Sequence, residues 1–448
     1  MPAGLTRPNL EVLQDAAHPL RGLNIDFDPL LDMIGDSPCV LIGEATHGTH
    51  EFYEARSELT KRLIVEKGFQ AVALEADWPD AFRVDRYVRG ANKDRDANAA
   101  LSGFRRFPTW MWRNRVMLAF VAWLRQHNHG QFHDARKTGV YGLDLYSMHA
   151  SIEAVLKYLD GVDPQAARQA RNRYGCFEDF GEDSQAYGYA ASINMSETCE
   201  EEVLAQLVDL QQRGTFYASL DGHVAEDEFF SAEQNARLVR NAEQYYRSMF
   251  RGRVSSWNLR DSHMMETLRA LVLHLQKRVR KPRIVVWAHN SHLGDARYTQ
   301  MGDLGELNLG QLVREDFGHN AVLIGLTTYK GTVTAASDWG EGEECKSVRP
   351  ALRASYEDLF HDLKLPAFWL NVRDEERVHT ELQERRLERA IGVIYRPETE
   401  RASHYFHSAL SNQFDAVIHF DETRALEPLD PPESWHGGEP PETFPSGV

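Results

Sequence analysis

Val40-Leu41-Ile42-Gly43-Glu44-Ala45-Thr46-His47-Gly48-Thr49-His50 is the stretch on which the reading of this chain turns. Three consecutive apolar, β-favouring residues leave no polar face. The segment therefore reads as a strand covered on both sides, as in a parallel sheet under helices. A glycine, a glutamate and two histidines follow it, which places ionisable chemistry where a buried strand ends.

Runs of the same kind recur at residues 39–42, 71–74, 140–143, 284–287, 322–326, 368–372, 391–395 and 416–420, with helical patterns between them. They predict an α/β fold, a mainly parallel sheet flanked by helices. Between residues 150 and 281 the strand signal stops. Helical periodicity takes over, for example at 231–251 and 259–279, until Pro282 marks the return to strand. The expected organisation is a discontinuous α/β core at 1–149 and 282–427, a helical insertion or cap at 150–281, and an irregular tail rich in Pro, Glu and Gly at 428–448.

Fifty basic residues against 67 acidic ones give a net charge of -17, which argues against nucleic acid or an anionic membrane as partner. A small molecule is the expected partner. No export signal and no run of about 18 apolar residues is present, so the expected location is the cytoplasm. Cys39, Cys176, Cys199 and Cys345 lie far apart without a Cys-x-x-Cys pair, and they read as reduced structural thiols.

In a parallel sheet every carboxyl strand end lies on one edge, and ligands bind outside it. Here the first run ends in Glu44 and His47, the second in Glu75 and Asp77, the third in Asp144, and the fourth in His289 and His292. Any one of these alone is an ordinary loop residue or helix cap. Four strand ends together form a partly desolvated cleft in which a carboxylate or imidazole becomes a usable base. His50 reads as a first-turn surface histidine. Arg56 either pairs along its helix, worth about 0.3 kcal/mol, or faces the cleft. Arg260 and Asp261 open a helical pattern as first-turn charges or reach the cleft. Tyr187, Tyr189, Phe229, Phe230, Tyr245 and Tyr246 fit a helical core better than a stacking surface. Gly-x-Ser-x-Gly, Walker A, Gly-x-Gly-x-x-Gly and His-Glu-x-x-His are all absent.

The combination Gly43-Glu44-Ala45-Thr46-His47-Gly48, Glu51-Phe52 with Arg56, Leu74-Glu75-Ala76-Asp77, Asn258-Leu259-Arg260-Asp261 and Trp287-Ala288-His289-Asn290-Ser291-His292 resembles the erythromycin esterase family. Ser403-His404-Tyr405-Phe406 and the stretch from Gln413 to Arg424 resemble its broader bacterial homologues. The resemblance implies hydrolysis of a carboxylic ester or macrolactone by water, without a serine nucleophile and without a cofactor; inactivation of macrolide antibiotics is included. It implies His47 as the general base, with Glu44 and Glu75 orienting and tuning it. Arg56, His289, His292 and Arg260 would line the site or stabilise the oxyanion. Two alternatives remain at this level: a metallohydrolase using His47, His289, Glu44 and Glu75 as ligands, and a binding protein without turnover.

Overall fold

Successive residues of the strand Cys39–Ile42 feed two different cores. Cys39 and Leu41 pack with Ala71, Ala73, Val286 and Leu323 on one face of the sheet. Val40 and Ile42 pack with Val72, Leu74, Val285 and Trp287 on the other. Burial on both faces is why these strands are apolar throughout and do not alternate. The computed structural model of the chain describes residues 8–22, 26–133, 136–181, 183–193, 195, 197–218, 223–250 and 252–430.

The described strands are β1 (His18–Pro19), β2 (Cys39–Ile42), β3 (Ala71–Asp77), β4 (Gly139–Asp144), β5 (Ile284–Trp287), β6 (Ala321–Ala335), β7 (Glu344–Val348), β8 (Ala367–Asn371), β9 (Arg386–Arg389), β10 (Tyr405–Ser408) and β11 (Ala416–Thr423). Nine form one sheet in the order β1-β8-β11-β6-β2-β5-β3-β4, with β7 paired to β6; β9 and β10 form a small separate ladder. From β11 to β4 the neighbours are parallel, whereas β8 and β1 add an antiparallel edge. The α/β class expected from the sequence is the class observed.

One expected strand is absent. Residues 391–395 make only isolated bridges, Ile391 with Thr46 and Ile394 with Ala336. Ile391 and Tyr395 are fully buried, and the Ile391 amide donates to the Ala45 carbonyl at 2.8 Å. The run is apolar because it lies as extended chain against the loop after β2, and burial of that kind imposes the same composition as a ladder.

The elements between β4 and β5 are helices. They include Met148–Val162, Glu200–Gln212, His223–Met249 and Arg253–Gln276. Leu159, Leu207, Tyr245 and Leu268 from these helices belong to the same core cluster as one face of the sheet. Tyr187, Phe230, Tyr245 and Tyr246 are buried there, and Tyr189 is exposed. The expectation of four reduced thiols is corrected: Cys176 and Cys199 are joined as a disulfide, while Cys39 and Cys345 are free. Their 23-residue separation spans a helix and two turns, so only the folded path of the chain brings them together. Residues 431–448 of the expected tail lie outside the described residues. Among the described residues no helix is long and apolar enough to cross a membrane.

Candidate active site

The loop after β2 is locked to its neighbours before any functional side chain is placed. The Gly43 amide donates to the Ile324 carbonyl, and the Asn290 amide to the Glu44 carbonyl, both at 2.8 Å. A side chain on Gly43 would meet Asn290 Oδ1 at 2.0 Å, and one on Gly48 would meet the Thr334 carbonyl oxygen at 1.8 Å. The Asn290 side chain at Gly43, and the Thr334 backbone at Gly48, fill the space a Cβ needs. Gly48→Ala is expected to cost about 1–3 kcal/mol, the range for overpacking a tight interior. Urea unfolding tests this; an unchanged midpoint would show that the loop has slack.

From this loop Glu44 and His47 turn inward, and both are buried. His47 Nδ1 lies 2.9 Å from Glu44 Oε1, and Arg56 Nη2 donates to Glu44 Oε2 at 2.7 Å. Arg56 has no solvent exposure; its guanidinium sits 4.2 Å from the Tyr53 ring centroid and 5.2 Å from that of Trp287. Of its two sequence readings, the cleft-facing one matches the structure. A carboxylate at Nδ1 fixes the imidazole with its proton on that nitrogen and makes Nε2 the basic one.

A second cluster is built on the ends of β3 and β4. Arg260 Nε and Nη2 donate to Asp144 Oδ1 and Oδ2 at 3.0 and 2.6 Å, and Nη2 also reaches Glu75 Oε1 at 2.7 Å. His292 Nδ1 lies 3.0 Å from both Asp261 oxygens, and its Nε2 lies 3.3 Å from Glu75 Oε1. Its ring stacks on Trp257 with centroids 4.5 Å apart. Burial by itself would lower the His292 pKa, but Asp261 and Glu75 raise it to about 10. His292 is thus an imidazolium donating to Asp261 and ion-paired with Glu75, with Arg260 Nη1 also 3.1 Å from its Nε2. Burial would raise the Glu75 carboxyl, yet His292 and Arg260 hold it well below the usual range. Burial pushes Asp261 up against the pull of His292.

The His292 shift carries a sign. A group whose pKa rises from 6.5 to about 10 on folding contributes its stability in full below 6.5 and loses it as the pH climbs through about 10. The melting temperature is therefore expected to fall between these pH values, and His292→Asn is expected to flatten that slope. A variant with the parental slope would refute the assignment.

His289 joins the two clusters. Its backbone N–H donates to Glu75 Oε2 at 2.8 Å, and its ring centroid is 4.8 Å from that of His47. Nδ1 accepts the Ser291 amide at 3.2 Å, which puts the ring proton on Nε2. Nε2 is buried without a hydrogen bond of normal geometry. Burial, followed by the charge on His47, drives the His289 pKa well below its ordinary value. At neutral pH it is a neutral imidazole whose N–H faces the Ala45 carbonyl.

All seven residues singled out in the sequence, Glu44, His47, Arg56, Glu75, Arg260, His289 and His292, thus fall in one connected network. His50 lies outside it, paired with Glu54 at 3.7 Å. Arg260 and Asp261 do not open their helix, which starts seven residues before Arg260 at Arg253. Asp144, Asp261 and Trp257 complete the network without having been assigned to it. The first was visible as a strand-end carboxylate, the others only as neighbours of Arg260. Among the described residues no three His, Cys, Asp or Glu side chains are grouped to hold a metal ion.

A sequence model of the erythromycin esterase family matches residues 64–423. The match begins within the helix His50–Lys67, after Glu44, His47 and Arg56, and includes the other four residues. Erythromycin esterase type II of Escherichia coli is 23% identical over 327 residues, covering 69% of this chain and 73% of that protein. The putative hydrolase YbfO of Bacillus subtilis is 22% identical over 415 residues, covering 88% and 86%. Among solved structures, a succinoglycan biosynthesis protein superposes with a TM-score of 0.74 at 20% identity, covering 93% of this chain and 97% of that one. A mutant erythromycin esterase in its open conformation superposes with a TM-score of 0.63 at 17% identity, covering 94% and 98%. These superpositions speak to the fold.

Proposed function

We propose, for a chain that belongs to the erythromycin esterase family, that it hydrolyses a carboxylic ester or lactone by direct attack of a water molecule activated by His47. The observation that carries this reading is the pairing of two imidazoles of opposite readiness. His47 has Nδ1 on Glu44, and His289, 4.8 Å away between centroids, presents a buried Nε2–H.

The water is placed between His47 Nε2 and the carbonyl carbon. As its oxygen bonds to that carbon, its proton passes to His47 Nε2, and the carbonyl electrons move onto oxygen. Glu44, pinned by Arg56, stabilises the imidazolium that forms. In this reading the His289 Nε2–H turns from the Ala45 carbonyl to donate to the oxyanion, a contact typically worth about 10²–10³-fold in rate. Collapse of the tetrahedral intermediate breaks the bond to the alkoxyl oxygen, which takes the proton back from His47. Acid and alcohol leave, or for a lactone one opened hydroxy acid. Glu75, Arg260, Asp144, His292 and Asp261 act through position: they hold the His289 backbone and keep a fixed charge pattern beneath it.

A macrolactone is the first substrate class to try, since the E. coli relative is an erythromycin esterase. Incubation with macrolides and simple aryl esters, read by mass spectrometry, tests the reading. A mass gain of one water on a lactone, or release of the aryl alcohol, is expected. Binding without hydrolysis across such a panel would make this a sequestering protein.

A further inference from the structure

Beside the network lies a cavity of about 20 Å³, lined in part by Glu75 and Asp144 and closed by Phe104, Phe107 and Trp112. It holds one water-sized group. Its charges do not balance internally: Glu75, Asp77, Asp80 and Asp144 line it, whereas the cations are Arg106, which lines it, and Arg260 and the His292 imidazolium, which reach it through Glu75. Glu75 and Asp144 share Arg260, and Asp77 Oδ2 takes both Arg106 Nε at 3.0 Å and Nη2 at 2.7 Å. Four carboxylates therefore face two guanidiniums and one imidazolium.

Two carboxylate positions are left over. Asp77 is 5% exposed, and its Oδ1 has no hydrogen bond of normal geometry, although the Ser147 hydroxyl lies near enough to act on the carboxylate. An orphaned buried acceptor of this kind costs about 1–3 kcal/mol unless something donates to it. Among the described residues Asp80 has no hydrogen bond or ion pair, and Arg106, Arg83 and Arg105 act on it only through space. A side chain at Gly103 would come within 2.7 Å of Asp80 Oδ1, so the loop is shaped to close over that carboxylate. Burial, reinforced by Asp77, pushes Asp80 up to about 7, a cost that an arriving cation would remove. Aromatic walls with unsatisfied carboxylates are the surroundings in which an ammonium group is held.

We propose that this cavity is a subsite for a protonated primary amine carried by the substrate, its ammonium group donating to Asp80 and to Asp77 Oδ1. The substrate class is then an amino ester or amino lactone, a refinement that rests on the hydrolase reading. The cavity admits –NH3+ and is too small for a trimethylammonium group.

The test has two arms. Calorimetric titration with propylammonium chloride at pH 8 and constant ionic strength is expected to show binding that weakens roughly ten- to hundredfold in Asp80→Asn, the span for a hydrogen bond to a charged group. Asp80→Ala serves as a second variant should the first fail to fold. Tetramethylammonium chloride is expected not to compete. In the second arm, kcat/KM is measured for the 4-nitrophenyl esters of 3-aminopropanoate and butanoate, which differ by an ammonium in place of a methyl. The ratio, internal to each enzyme, is expected to favour the amine in the parent protein and to collapse in Asp80→Asn. Propylammonium binding that is absent, or equal in parent and variant, overturns the subsite. Selective binding with neither ester cleaved leaves the subsite standing and sinks the hydrolase reading instead.

Discussion

His47→Asn is expected to lower kcat/KM for any ester the protein cleaves by about 10²–10⁴-fold, the usual contribution of a general base. The melting temperature should stay close to that of the parent, because Asn keeps a polar group near Glu44 Oε1 and the loop is held by backbone hydrogen bonds from Gly43 and Asn290. Loss of activity in a folded protein separates a base from a structural histidine. Glu44→Gln should act in the same direction with a smaller effect, since it removes the charge that stabilises the His47 cation and leaves the Arg56 guanidinium without its anion. A fully active His47→Asn protein ends the proposed mechanism, whatever the family membership.

Arg260→Met is expected to be the most destabilising single change in the site. Arg260 is 3% exposed and is the common partner of Asp144 and Glu75. Removing it leaves Asp144 without its guanidinium and Glu75 with only the His292 imidazolium, which Asp261 also shares. Breaking a buried ion pair from one side costs about 3–5 kcal/mol, because the remaining charge stays buried without its counterpart. Urea unfolding measures the loss. Adding Asp144→Asn should restore part of it, since the double variant no longer carries the uncompensated charge. A single variant within about 0.5 kcal/mol of the parent would mean that water reaches this cluster freely, and that the charge pattern beneath His289 is not fixed by the fold.

The sheet was legible where burial on both faces erased alternation. The runs at β2, β3, β4 and β5 were read as strands, and their carboxyl ends carry Glu44, His47, Glu75, Asp144, His289 and His292. Convergence of those ends follows from parallel pairing, which the ladders of β2 with β5 and β3 with β5 provide. The same reasoning failed for residues 391–395, because an apolar run reports burial and not the partner that buries it. What escaped the sequence depends on long-range contact. Arg260 meets Asp144 across 116 positions, and Asp261 could not be seen as the partner of His292 from its place in a helix. Spacing alone left Arg56 open between a helix-surface pair, worth a few tenths of a kcal/mol, and a place in the cleft. Only the fold shows that it lies fully buried against Glu44. The Cys176–Cys199 bond belongs to the same category, set by how the helices between β4 and β5 double back.

Direct attack by water leaves nothing covalently attached to the protein, and that is what distinguishes this account from any nucleophile mechanism on the same fold. Rapid acid quench during the first turnover of an activated aryl ester, followed by intact mass measurement, tests it most directly. The account predicts an unmodified chain at every time point while aryl alcohol accumulates without a burst. An acyl adduct on any side chain that forms and decays at the rate of turnover would contradict it.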